Sequence, residues 1–316
     1  MDLVHFRMVL PSALTEPAVD LLSSHDRVLN LVVLRASRVG GGDTVECDVV
    51  KGAANGLLDR LRELGVDRTG SIALDDVDMM LSGHAERIAN HQPSALLDAP
   101  LWAAVEARIR AGGTYPPSFY LFLVVAGLIG SVGIMTNSQI LIVAAMVVGP
   151  EYNAITSVAL GLDRRNRRRV RDGTGALTAG FLLAIVVTLA FSLVVRAAGW
   201  QSEAFDLGLR PVSHLIDTPD FFSVVVAVLA GVVGIVSLTE ARVSALLGVF
   251  ISVTTIPAAS DMAVSLAFAD WRQAGGSLLQ LLLNVVVLVI TGVVTLRLQR
   301  WLWRRAARRA AARRRA

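Results

Sequence analysis

Residues 118–162 read SFYLFLVVAGLIGSVGIMTNSQILIVAAMVVGPEYNAITSVALGL. Up to Met135 the run is apolar and uncharged, long enough to cross a bilayer core as one helix. Thr136, Asn137 and Ser138 follow, then a second apolar run from Gln139 to Leu162. Gly149, Pro150 and Glu151 interrupt it at its middle, where a plain spanning helix would keep Leu or Val. A breaker pair beside a carboxylate at that depth is costly in lipid and is tolerated where protein or a water-filled cavity supplies partners. The stretch therefore predicts a broken transmembrane helix.

The rest of the chain agrees. Of its 316 residues 54% are hydrophobic without counting glycine, and the mean hydropathy is +0.59; soluble domains have about 45–50% apolar residues with glycine included. Charge is concentrated before about residue 114, and long uncharged runs follow. The pattern predicts a soluble domain over residues 1–81, a connector over 82–117, a membrane domain over 118–298 and an arginine-rich tail over 299–316. No secretory signal is recognisable at the start, and the single Cys47 excludes an intramolecular disulfide.

Six spans are expected, at about 119–135, 139–162, 173–197, 221–238, 243–269 and 275–298. The arginine cluster of residues 163–171 and the tail should be cytoplasmic. The loop 198–220 holds Glu203, Asp206, Asp217 and Asp220 against Arg210 and should lie outside. Six full crossings with both termini in the cytoplasm of a cell inner membrane satisfy this. A re-entrant hairpin at Gly149-Pro150 would put the arginine loop outside, against the charge rule. The basic clusters suit anionic lipid better than nucleic acid, which is not expected as a partner.

The membrane domain also looks duplicated, at about 118–197 and 221–298. Gly130 and Gly133 correspond to Gly231 and Gly234, Gly149-Pro150 to Ile256-Pro257, and Thr136-Asn137-Ser138 to Ser237-Leu238-Thr239. A unit with an odd number of spans, used twice, inserts in opposite orientations. Inverted repeats broken at matching places point to a carrier site at the bilayer midplane. Proline removes a backbone donor and frees carbonyls before the break, and the helix ends so exposed can hold ions. The candidate solute- or ion-binding residues are Asn137, Ser138, Met146, Gly149, Pro150, Glu151, Asn153 and Thr156 in the first copy. In the second they are Thr254, Thr255, Pro257, Ser260 and Asp261. Glu151 and Asp261 are carboxyls placed to take up and release a proton, and the competing reading is that each is a buried structural acid. Gly127, Gly130 and Gly133 read as close helix packing, Asn284 as a bond between helices, and Glu240 and Arg242 as a surface pair.

The first 81 residues order as β-α-β-β-α-β, the ferredoxin-like arrangement, which fixes no function. A helix is expected to start at Thr15-Glu16-Pro17, another to run over 55–64, and an alternating strand over 44–51 to carry Cys47. The domain reads as a docking or oligomerisation module or as a sensor gating the membrane part. In the connector, Leu101, Trp102, Val105 and Ile109 lie on one side of a short helix, which fits either the membrane interface or packing under the head. No serine nucleophile elbow, paired-histidine motif, cysteine cluster or cofactor loop is present, and His84, His91 and His214 stand apart. The expected protein is not an enzyme and needs no cofactor.

Residues 127–162, with RVSALLGVFISVTTIPAASDMAVSLAFADW at 242–271, resemble the prokaryotic membrane family catalogued as domain of unknown function 389. Many members have Asp-Asn or Asn-Ser after the first span, a Met before a Gly-Pro or Ala-Pro break, and a proline in the second repeat. Asn137-Ser138, Met146, Gly149-Pro150 and Pro257 match. Many members carry paired prolines in the second copy, where this chain has Ile256-Pro257. The likeness covers about residues 119–298 and implies an integral membrane protein, often with a small soluble domain, but no substrate. The expectation is a six-span carrier of a small solute or ion, proton- or cation-coupled, homo-oligomeric and regulated by its head. The rival is a non-transporting sensor or scaffold.

Overall fold

The computed structural model describes residues 3–35, 42–77, 100–202, 205, 220–239 and 255–315. The chain divides into two compact units, residues 1–105 with 300–316 and residues 106–299.

In the first unit the elements run β1 (Leu3–Leu10), α1 (Ser12–Ser23), β2 (Val28–Leu34), β3 (Asp43–Val50), α2 (Lys51–Glu63), α3 (Val66–Thr69) and β4 (Ser71–Val77). The four strands form one antiparallel sheet in the order β2-β3-β1-β4. Phe6 on β1 sits opposite Cys47 on one side and Leu74 on the other. Strand alternation sends Val4, Phe6, Met8 and Leu10 to one face, where they pack with Leu22, Leu57 and Leu61 from the helices. Cys47 belongs to this core, and burial with the nearby Asp48 pushes its thiol up to about 12. On the other face His5 Nδ1 lies 2.8 Å from Asp48 Oδ1, and Asn30 Nδ2 donates to Asp48 Oδ2 at 2.7 Å.

Several boundaries differ from the sequence expectation. Helix α1 starts at Ser12, so Pro17 lies inside it. Thr15 caps nothing; it is buried and its hydroxyl donates to Asp43 Oδ2 at 2.7 Å. A tertiary bond has claimed the side chain that read as a cap. Helix α2 begins at Lys51, directly after the strand, and the short α3 was not expected. In the connector, α4 (Trp102–Gly112) is preceded by a clamp: Asn55 accepts from Trp102 N–H at 3.0 Å and donates to the Pro100 carbonyl at 2.9 Å. Leu101 then packs into the head core.

The second unit is helical: α5 (Pro117–Met135), α6 (Gln139–Val148), α7 (Glu151–Asp163), α8 (Arg167–Ala198), α9 (Phe221–Thr239), α10 (Ile256–Ala267) and α11 (Trp271–Arg315), the last continuing past this unit. Among the described residues four helices are long and apolar enough to cross a membrane, and the α6–α7 pair, bent by 52° at its break, brings the number to five where it is counted as one broken span. The expected span over 243–269 is described only from Thr255 onward, as the short apolar α10; its first half, with Thr254, lies outside the described residues. So do Glu240, Arg242, His84, His91 and His214.

Burial in this unit runs opposite to that of a water-soluble domain. Leu121, Phe122, Val143, Leu182, Val286 and Val294 are exposed, whereas Ser131, Thr188, Ser260, Asp261, Ser277 and Asn284 are buried. A belt of that size asks for a non-aqueous surrounding; this is a membrane protein.

The arginine cluster read as a loop is mostly helix. Asn166 accepts from Arg169 N–H at 3.1 Å and caps α8, leaving a turn of three residues after Asp163. Arg164 reaches Glu106, which is buried and also lies 3.3 Å from Arg110. At the start of α9, Asp220 accepts from Ser223 N–H and hydroxyl, both at 2.7 Å, which holds its carboxyl below the usual range.

Helix ends meet in two groups. In one, Arg297 donates to Asp163 Oδ1 at 3.1 Å and Gln299 to Thr239 Oγ1 at 3.2 Å. In the other, Ser202 donates to the Met135 carbonyl at 2.7 Å, Arg196 to the Ala267 carbonyl at 2.5 Å, and the rings of Phe205 and Phe268 pack edge-on at 4.8 Å.

Candidate functional site

The two expected breaks meet. Gly149 is extended, as a residue before proline must be, and Pro150 precedes α7, so Glu151 is its first residue. Thr255 holds the corresponding position before α10. A threonine there would ordinarily cap the second or third amide of the helix, but the second residue is Pro257, which has no N–H. Its hydroxyl donates instead to Glu151 Oε1 at 2.8 Å. Both side chains are fully buried. Alongside, a Cβ placed on Gly149 would run into the Glu151 carboxylate and come within 2.9 Å of Ile256 Cγ1. Only a glycine lets the two breaks close on each other here.

From this point the half-helices leave in opposite directions along α8, which is about 48 Å long at 1.5 Å per residue. Gly161, near the end of α7, packs on Val170 at the start of α8, a Cβ there falling 3.1 Å from Val170 N. Ala267, ending α10, receives Arg196 from the far end of α8. The N-termini of two helices, each the positive end of a dipole, thus meet beside the Glu151 carboxyl.

Close packing by glycine holds the first span against α10. A Cβ on Gly130 would strike the Ser260 hydroxyl and lie 3.0 Å from Ser260 Cβ. Ser260 bonds back to the Ile256 carbonyl at 3.0 Å and reaches the Gly127 carbonyl at 3.3 Å. At the next residue, Asp261 Oδ2 accepts from Ser277 Oγ at 2.5 Å. A small cavity lies beside the junction, lined by Tyr152, Thr156, Gly231 and Leu288 among others, with room for about one water. Tyr152, on its wall, donates to the Gly234 carbonyl at 2.7 Å. Gly130 thus contacts α10, and the Gly234 carbonyl contacts α7 through Tyr152.

Not every candidate is drawn in. Gly149, Pro150, Glu151, Thr255 and Pro257 form the junction, Ser260 and Asp261 stand one turn away, and Thr156 lines the cavity with its hydroxyl bonded to the Tyr152 and Asn153 carbonyls. Asn137 and Ser138 are at the opposite end of α6, about 15 Å of helix from the break. Asn137 takes a left-handed backbone (φ 53°) in an exposed turn, and Ser138 caps α6. Met146 packs with Ile142 and Val264 in an apolar cluster, and Asn153 is exposed. Among the described residues no three His, Cys, Asp or Glu side chains gather to hold a metal.

The sequence reading missed one set of residues. Gln273, Ser277, Gln280, Asn284, Thr291 and Thr295 are all buried on α11. Their spacing of four, three, four, seven and four is a helical face, visible in the sequence had it been sought beyond Asn284.

Residues 146–290 match the family described as domain of unknown function (DUF389), as the resemblance implied. An uncharacterised protein of Methanocaldococcus jannaschii is 20% identical over 174 residues, covering 55% of this chain and 52% of that protein. The chain thus spans about half the length of the curated relative it matches. No solved structure matches the chain.

Proposed function

We propose that the helical unit is a carrier of a small solute or ion, working through the junction of its two broken helices. The observation that carries this reading is the 2.8 Å bond from Thr255 to Glu151, which joins residues 104 positions apart at the buried starts of two helices running opposite ways. An anchor or a scaffold has no use for such an interrupted pair, which forfeits helix hydrogen bonds at membrane depth. Six crossings, arranged as two inverted three-span repeats, fit the grouping of the helix ends. Asp163, Thr239 and Arg297 belong to one side, and Met135, Arg196 and Ala267 to the other. The first group adjoins the arginine-dense segments, so it is assigned to the cytoplasm of the inner membrane, with both termini on that side.

The junction is sealed, with Glu151, Thr255, Ser260 and Asp261 all buried. In a carrier this is the occluded arrangement, and transport requires the two half-helices to part on alternate sides. Among the described residues of the first unit before α4 no helix is long and apolar enough to cross a membrane; we assign this unit regulation of the carrier and, with a second copy of the chain, oligomer contacts.

The test is flux. Purified protein in proteoliposomes should move at least one member of a panel of inorganic ions and small organic acids. Glu151→Gln keeps the shape but replaces the carboxyl that accepts from Thr255, and should cut that flux by about tenfold or more, the loss expected for one charge-assisted bond of about 1.5–3 kcal/mol. Flux unchanged in the variant at every pH would reject the assigned role of Glu151. Silence across the whole panel would favour a non-transporting sensor.

A further inference from the structure

The junction does not exhaust the buried polarity of the helical unit. From Gln273 to Thr295 the polar face of α11 extends about 33 Å at 1.5 Å per residue, roughly the depth of a bilayer core. The other face, with Leu279, Leu282, Val286 and Ile290, is exposed. Single polar residues of this kind bond between helices; here they form a row as long as the membrane is thick.

Asp261 meets this row at Ser277. The serine hydroxyl lies 2.5 Å from Asp261 Oδ2 and 3.1 Å from the Gln273 carbonyl oxygen. It carries one hydrogen and can accept two. With Asp261 ionised, the hydroxyl donates to the carboxylate. With Asp261 protonated, the acid donates to Ser277 Oγ and the hydroxyl swings to the Gln273 carbonyl. Each protonation state is hydrogen-bonded without moving a heavy atom, and one proton from water is the whole difference between them. One turn along, Gln280 Oε1 is buried with no hydrogen-bond partner, and Gln280 Nε2 lies 3.4 Å from Asn284 Oδ1. An open acceptor at this point suits a passing water or hydronium.

Few other titratable groups stand on the elements packed against this group. On the elements packed around α10, the first span and α6 contribute Tyr120 as their one titratable residue, and α8 has no charged residue between Asp172 and Arg196. Arg196 is engaged with the Ala267 carbonyl. On α11 charges stand at Arg272 and then at Arg297, with Asp270 just before the helix. Glu151 lies at the start of α10, about 9 Å of helix from Asp261 at 1.5 Å per residue, and is bonded to Thr255.

We propose that Asp261 and Ser277 form a proton-binding switch served by the polar face of α11, separate from the Glu151–Thr255 junction. Its part in transport rests on the carrier reading: the proton is the driving ion, and the junction is left for the solute. The switch itself stands without that reading.

The experiment is infrared difference spectroscopy of the full chain in lipid nanodiscs, titrated from alkaline to acid pH with no solute present. A carboxylic-acid C=O band should grow as protons are added. It should vanish in Asp261→Asn, persist in Glu151→Gln, and move to higher frequency in Ser277→Ala, where the acid has lost its acceptor. The last variant keeps the carboxyl and tests the switch even where Asp261→Asn does not fold. A band that survives Asp261→Asn, or one that Ser277→Ala leaves in place, overturns the proposal. So does a carboxylate signal that responds to added sodium at fixed pH but not to protons. A chain that moves no solute yet loses its band in Asp261→Asn keeps the switch and refutes the carrier.

Discussion

The two units solve opposite solvent problems with the same residue types. In the head, Phe6, Met8, Leu57 and Leu61 are inside while Arg7 is outside. In α11 the polar residues Ser277, Gln280 and Asn284 are inside and Leu282 and Val286 outside. Water drives apolar surface inward in the first. Lipid removes that drive in the second, so packing and internal hydrogen bonds hold the helices together. An exposed valine is therefore tolerated in the head and required in the bundle.

That contrast can be broken by moving one charge. Val286→Arg, at the middle of the lipid-facing side of α11, should cost about 3 kcal/mol of insertion or stability, read as lost membrane-integrated protein. Val32→Arg, on the edge strand of the head and 45% exposed, should stay within about 0.5 kcal/mol. Equal effects at the two sites would mean the helical unit does not face lipid.

Glycines sharpen the comparison. Gly130→Ala pushes a methyl into Ser260 and should cost about 1–3 kcal/mol, measured by thermal inactivation in detergent. The next effect is confined to the head. Because the Cys47 thiol is pushed up to about 12, the folded head keeps a proton that the unfolded chain releases. Its contribution is fully present below the ordinary thiol range and is lost as pH climbs from there toward 12, by up to about 1.4 kcal/mol per unit. Cys47→Ala should flatten that alkaline decline in denaturant titrations. The smallest effect has the reverse sign. Gly56 sits within α2 with nothing within 4 Å of an added Cβ, so Gly56→Ala should raise head stability by about 0.5–1 kcal/mol.

Much of this was legible in the chain. The break at Gly149-Pro150, the element order of the head and the tight approach of Gly127 and Gly130 follow from local chemistry, and each is where the sequence put it. That the two breaks belong together rested on the correspondence between two proline positions, a weak signal that pairs segments about a hundred residues apart. What could not be read was how hydroxyls are spent. Thr15 resembles a cap and bonds Asp43; Thr255 stands at a cap position and bonds Glu151; Ser138 resembles a site residue and is a cap. A hydroxyl takes whichever partner the fold brings near, and no spacing rule announces that. The polar row of α11 was missed for another reason: Gln, Ser, Asn and Thr spread over 22 residues look like scatter until they are counted by helical turns.

One consequence follows from the placement of Cys47. The chain has a single sulfhydryl, and it lies in the head core, held in its unreactive protonated form. Thiol-directed reagents should therefore pass over the native protein. Cysteines introduced one at a time along α7, α10 and α11 can be tagged against a silent background, and membrane-impermeant maleimides added to either side would map directly which positions each compartment reaches.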